Sequence, residues 1–157
     1  MPLMKARGIV IKTINLGEAD KIITLFTDVF GKIEAVAHGS RKPKSKLLSS
    51  TQVFCYGEYV LYKGKNLYTI NQAEIIQSFQ ELLDDLYTLT YGSYAVELVD
   101  VLTQENDRNL ELFALLLKCM YIMTDSNVDI ELLIRAFELK SMSISGYMPN
   151  LYGCSSC

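Results

Sequence analysis

The residues best suited to chemistry are cations gathered in one stretch. His38-Gly39-Ser40-Arg41-Lys42-Pro43-Lys44-Ser45-Lys46 carries four Lys/Arg in six positions, beside a glycine, a proline and serine hydroxyls. Proline fixes φ where glycine frees it, so this composition specifies a loop rather than a strand. Such a loop can lay guanidinium and ammonium groups along a phosphate backbone, with hydroxyls as extra donors, while reading no base sequence. A solvated basic loop that binds nothing is the competing interpretation, and on the segment alone the two weigh equally. Tyr56, Tyr59, Tyr62 and Tyr68, with Phe54, follow in the next two apolar runs. Single-strand binders combine a positive groove with aromatic platforms on which bases stack, each stack worth about 1–3 kcal/mol. Tyrosines in strands also pack cores, so the aromatic cluster supports the loop without proving it. Lys12, Lys21, Lys63 and Lys65 are cations that could extend the surface.

Other candidate chemistry is sparse. Cys154-Ser155-Ser156-Cys157 has the spacing of half a zinc knuckle, in which two thiolates reach one tetrahedral ion. Two more ligands are needed, and His38, Cys55 and Cys119 are not placed as local partners. A redox pair or two plain thiols are the alternatives, although no βαβ pattern surrounds this CxxC. His38 is the only histidine, and no GxSxG, GxxxxGK[ST] or HExxH pattern occurs. Glu18 and Asp20 belong to a turn, and Asp84-Asp85 open a helix where acids favour the dipole. A non-enzymatic role is the economical expectation.

Charge divides the chain. Residues 1–80 hold eleven Lys/Arg against six Asp/Glu, a balance of +5, and residues 81–157 hold four against twelve, a balance of −8. A moderately basic half invites a polyanion through counterion release. With 157 residues and 50% hydrophobic content the chain can build one good core or two small ones. Lys5, Arg7 and Lys12 interrupt every apolar run of the first twelve residues, and no stretch reaches the roughly 20 apolar residues of a membrane span. A cytoplasmic protein without membrane contact is expected.

These patterns predict an α+β chain, strands first and helices after. Runs rich in Val, Ile, Thr, Tyr and Phe predict strands over Lys5–Leu16, Lys21–Thr27, Lys32–His38, Gln52–Tyr62 and Leu67–Ala73, with glycines at the turns. Five strands in so short a span suit an OB-like or SH3-like barrel over residues 1–79. Ile9-Val10-Ile11 and Val60-Leu61-Tyr62 break alternation, which predicts strands covered on both faces. From Ser78 the period turns helical, giving an all-helical domain over residues 80–157. One helix runs through Leu82 to Leu102 with a break expected at Gly92-Ser93; others span Asn109–Met123 and Asp129–Ser143, with Asp129 or Asn127 as cap. The second has two apolar stripes, so either the barrel or further polypeptide must cover it.

An ordered set of segments resembles the RecO family of bacterial recombination mediators. It begins with Lys5-Ala6-Arg7-Gly8-Ile9-Val10-Ile11, Gly17-Glu18-Ala19-Asp20-Lys21-Ile22 and Thr27-Asp28-Val29-Phe30-Gly31-Lys32. It continues through Gly39–Ser45 to Gly146-Tyr147-Met148-Pro149-Asn150-Leu151 and the CxxC. The resemblance implies an N-terminal OB domain, a helical domain and, often, a four-cysteine zinc module within the latter. It also implies a nucleoid-associated mediator of DNA repair and recombination that is not an enzyme. Such a protein binds single- and double-stranded DNA, anneals strands, and helps RecR place RecA filaments on strands coated by single-strand-binding protein. By resemblance, DNA contact falls on Arg41, Lys42, Lys44 and Lys46, then on Lys12 and Lys21, and zinc on Cys154 and Cys157. Family members continue past the CxxC with a second cysteine pair and closing helices. The expectation is therefore a chain lacking that part, whose zinc site is incomplete and weak in the monomer. A barrel that binds protein rather than DNA is the alternative function.

Overall fold

The computed structural model describes residues 2–156. Five strands come first: β1 (Met4–Leu16), β2 (Asp20–Thr27), β3 (Gly31–Ala37), β4 (Tyr56–Lys63) and β5 (Tyr68–Gln77). They close into a barrel in the order β1-β2-β3-β5-β4, with β1 antiparallel to β4 and a short parallel contact between β3 and β5. The barrel is OB-like, as expected. β1 serves two neighbours, pairing with β4 over Met4–Ile9 and with β2 over Gly8–Leu16. A bulge between Val10 and Lys12 lets it do so. Val10 joins Leu25 and Ile33 inside the barrel, while Ile9 and Ile11 turn outward to the helices. The broken alternation of Ile9-Val10-Ile11 thus marks a strand covered on both faces.

The helices are α1 (Glu81–Asp84), α2 (Leu86–Leu102), α3 (Leu110–Met123) and α4 (Ile130–Ile144). Asp85, Asn109 and Asp129 each accept a hydrogen bond from a backbone N–H three residues on, so short polar side chains start the three long helices. The break expected at Gly92-Ser93 lies instead at Asp85, whose extended backbone separates α1 from α2. Gly92 stays helical because it is a contact point: a Cβ there would stand 3.1 Å from Cζ of Phe54. The predicted fourth strand starts late, at Tyr56, because residues 38–55 form consecutive turns and Phe54 takes φ of 78°. β5 runs four residues beyond the predicted Ala73, paired to β4 as far as Gln77.

There are two apolar clusters. One fills the barrel with Val10, Ile23, Leu25, Ile33, Tyr59 and Leu61. The other joins the units, setting Ile9, Ile11, Phe26, Phe54 and Tyr56 against Val96, Leu112, Phe113, Leu116 and Met120. Phe113 meets Phe26 and Tyr56 edge-on at centroid distances of 5.9 and 6.2 Å. The barrel thus covers part of α3 through Phe113, while α2 and α4 cover the rest of its buried surface. Lys32 adds a polar clamp, with Nζ donating to Asp100 O (2.8 Å), Asp100 Oδ1 (3.0 Å) and Thr103 O (2.9 Å) at the C-terminal end of α2.

Candidate nucleic-acid interface

Strand register puts two connections at one end of the barrel. Leu16 pairs with Asp20 and Lys21 with Ala37, so the β1–β2 turn and the start of the basic loop are neighbours. The β4–β5 hairpin points the other way: Leu61 pairs with Met4 at the start of β1, and Tyr68 enters alongside Ala35 parallel to β3, so residues 64–67 lie toward the β2–β3 turn, where Tyr68 meets Phe30. The β2–β3 turn lies at the opposite end, where Gly31 packs on Asp107 and Asn106 N donates to Lys32 O. The helical unit is thus docked away from the cationic mouth. OB barrels bind oligonucleotides with the face of strands 2–3 and with the loops after strands 1 and 4, of which the first lies at this mouth.

The basic loop is fastened to the β1–β2 turn. Arg41 N donates to Ala19 O (2.9 Å), and Arg41 Nη1 donates to Gly17 O (2.8 Å). Gly39 N donates to Asp20 Oδ1 (2.7 Å), and His38 Nδ1 lies 3.3 Å from Asp20 Oδ2. The Gly39 N–H, then the His38 imidazole, hold the Asp20 carboxyl below its ordinary 3.8. Further along, Thr51 Oγ1 donates to Leu47 O (2.7 Å), and the buried Tyr59 OH donates to Ser50 O (2.6 Å). A segment without regular structure is thereby held at both ends.

Six cations were assigned to DNA, and the structure gathers five of them. Lys42, Lys44 and Lys46 are exposed on the loop, and Arg41 is half-buried beside them. Lys21 is at the same mouth but lies inward, in the row Asn15–Lys21–Ala37, and is 8% exposed. Burial, then the Arg41 charge, push its pKa down. Lys12 stands apart, in the row Lys12–Thr24–Glu34, lining a cleft of about 370 Å³ with Glu97 and Asp100 of α2. Lys63 and Lys65 are exposed at the hairpin tip. Sequence alone named these two cations as extending the surface; the parallel β3–β5 contact, which has no local signal, sets them toward the β2–β3 turn and away from the basic loop.

The aromatic platform is not there as expected. Tyr56, Tyr59, Tyr68 and Phe54 are buried in the two cores, and Tyr68 stacks at a tilt on Phe30 at 5.9 Å. Their inward register takes them from any ligand; Tyr62 is half-buried and is the one of the four tyrosines with substantial exposed surface. For zinc, Cys154 is exposed and its Sγ accepts from Ser156 N (3.3 Å), while Cys157 lies outside the described residues. Cys55 and Cys119 are buried in separate cores, and burial pushes the Cys119 thiol up to about 12. Among the described residues no three His, Cys, Asp or Glu side chains are close enough to share a metal ion. Among the described residues the donor set does not complete a zinc site. Among the described residues, no helix is long and apolar enough to cross a membrane.

A closed five-stranded barrel with a cationic mouth, joined through a shared core to a helical unit, defines an OB-barrel protein with an appended helical domain. Residues 1–79 match the family described as Recombination protein O N terminal, and residues 83–157 match Recombination protein O C terminal. The chain belongs to the RecO family. It is 46% identical over 157 residues to the DNA repair protein RecO of Clostridium kluyveri, covering all of this chain and 61% of that protein. It is 46% identical to the Clostridium acetobutylicum protein of the same name, covering 64% of it, and 41% identical to that of Acetivibrio thermocellus, covering 62%. The chain thus spans a little over three-fifths of these relatives' length.

Proposed function

We propose that this chain acts in DNA repair as a non-catalytic mediator that binds DNA strands, single strands foremost, across the barrel mouth. The supporting observation is the set Lys42, Lys44 and Lys46. All three are exposed, and among the described residues none forms an ion pair or hydrogen bond through its side chain. Cations left unpaired at the mouth of an OB barrel are the donor set that a phosphate backbone neutralises. The family gives the wider role: annealing strands, and working with RecR to bring RecA to strands coated by single-strand-binding protein. Residues 1–79 as the DNA-binding domain and residues 80–157 as the helical domain fit that division of labour. A cytoplasmic, nucleoid-associated setting goes with it.

The test is fluorescence anisotropy of a labelled single strand of about 30 nucleotides, titrated at low and moderate salt. Replacing Arg41, Lys42, Lys44 and Lys46 together by Glu is expected to abolish binding at moderate salt. Neutral Gln replacements should flatten the log–log salt slope by about 3, since each single-strand phosphate contact contributes roughly 0.7. Tight binding that ignores both salt and these variants would overturn the reading.

A second surface favours the protein-binding alternative. Ala114, Leu117, Tyr121 and Ile122 of α3 line an apolar groove of about 570 Å³, with Lys118 and Asp125 at its sides. An acidic, apolar-tipped peptide such as the tail of single-strand-binding protein fits that chemistry. A folded chain that binds no strand at low salt would leave this groove as the working surface.

A further inference from the structure

We propose that the cleft between β1 and α2 docks an extended peptide segment of a partner protein, which adds as a strand to the edge of β1 and sets a basic side chain against Glu97. β1 is served unevenly by its neighbours. On one side β2 pairs with it as far as Leu16. On the other, β4 stops at Ile9, and the last bonds are Val10 N to Cys55 O (3.0 Å) and Phe54 N to Val10 O (2.9 Å). From Ile11 to the strand's end at Leu16, among the described residues, no hydrogen bond reaches the backbone from that side. A strand edge with unpaired N–H and C=O groups is a template for another strand.

The cleft of about 370 Å³ begins where that ladder stops. Val53, the residue before the last pairing, lines it together with Ile11, Lys12 and Thr13. Lys12 and Thr13 project to opposite faces of β1, yet both line the one cleft. The cleft therefore runs along the strand's edge and not across a face, and a strand seated in it continues the ladder beyond residues 53–55. The facing wall is α2, where Ser93, Glu97 and Asp100 recur at helical spacing beside buried Val96. A strand edge opposite a helix lets main-chain bonds give affinity while alternate side chains give choice.

The walls select the occupant. Ile11, Val53 and Val96 offer apolar surface, and Glu97 offers an exposed carboxylate that, among the described residues, has no ion pair or hydrogen bond. Asp100 adds a second carboxylate, already held by Lys32. Acids on the wall repel a phosphate backbone and attract a cation, so the fit is a peptide and not a nucleic-acid strand. Side chains two apart on a strand share a face. The preferred segment thus carries an apolar residue and a Lys or Arg at i and i+2. In the competing interpretation Lys12 and the bulge after Val10 only blunt the edge against self-association.

The full chain is panned against random heptapeptides displayed on phage, and the enriched peptides are synthesised and titrated by fluorescence anisotropy. Docking predicts enrichment of the apolar and basic pair at i and i+2. Glu97→Lys should weaken these peptides at least about 10-fold, because like charges then face each other. Ser93→Arg, which fills the cleft from a second exposed position of α2, should do the same, and both variants should melt as wild type does. Methylating the peptide's backbone nitrogens at alternate positions should abolish binding, while methylating the intervening ones should leave it nearly intact, a signature of an added strand. No enrichment over a blank surface overturns the docking site, as do peptides that bind both variants like wild type or tolerate methylation at every position. A labelled single strand that displaces the peptides makes the cleft part of the nucleic-acid path and overturns it too. So does a concentration-dependent dimer that Glu97→Lys dissolves, which would put a second copy of this chain on the edge.

Discussion

At the residue scale, Asp20 decides whether the basic loop is a surface or a tether. Its carboxylate accepts from Gly39 N–H and sits against His38, and those two contacts draw its pKa below 3.8. A carboxyl whose folded pKa is depressed adds stability in full above its unfolded value, and loses it as pH falls through the folded value. Asp20→Asn should therefore unfold at lower urea than wild type at neutral pH, with the gap closing towards pH of about 3. A gap that stays constant with pH would mean the carboxylate charge is not what holds the loop. The loop itself was legible in the sequence, since Gly39, Pro43 and the run of cations announce it. The faces of Lys21 and the tyrosines were not. Lys21 and Lys12 look alike as isolated strand cations, and only pairing to Ala37 in one case and to Thr24 in the other turns the first inward and the second outward. Tyr56 and Tyr59 carry the composition of a stacking platform and the register of a core.

At the element scale, caps and turns explain where sequence and structure agree. Asn109 and Asp129 cap α3 and α4 within a residue of the predicted starts, because a side-chain acceptor before an apolar period is a local signal. Asp85, one of the two acids expected to open a helix, does cap α2, although the break was expected at Gly92. Glycine weakens a helix in isolation, yet here the close approach of the Phe54 ring favours it, a tertiary reason invisible along the chain. Gly31 is the more demanding case. At φ of +68° in the β2–β3 turn, an added Cβ would lie 2.2 Å from the carbonyl oxygen of Asp107. Backbone faces backbone there, so no side-chain rotation relieves the clash. Gly31→Ala is expected to cost about 3 kcal/mol, combining left-handed strain with displacement of the 104–108 segment. Urea denaturation at neutral pH checks it; a loss under about 1 kcal/mol would mean that the segment yields freely.

At the scale of the whole molecule, the charge division and the core point in different directions. The basic barrel and the acidic helical unit differ by sign, as the sequence shows, and that suggests two modules. The structure joins them through apolar contact and the Lys32 clamp, with the cationic mouth at the far end. An acidic unit held away from the mouth leaves the loop cations to a ligand, so the division serves to orient the field rather than to neutralise it. The shared cluster has a thermodynamic consequence. Ile9, Ile11, Phe26, Phe54 and Tyr56 are buried in the cluster that the helices complete, and Phe113 closes that contact from α3. Barrel and helices should then unfold in one transition. Far-UV circular dichroism at 222 nm reports chiefly on helix, and the fluorine resonance of fluorotyrosine at Tyr59, fully buried in the barrel's own core, reports on the barrel; the two curves are expected to superimpose in urea. Phe113→Ala should move both together by about 3–5 kcal/mol, the usual cost of removing a buried phenyl ring. If the helical signal is lost first while the tyrosine signal persists, the barrel stands alone and the two units are stable independently. Coincident curves mean that the helical unit is part of what keeps the barrel folded, and on the proposed function damage to α3 would then weaken strand binding without touching a cation.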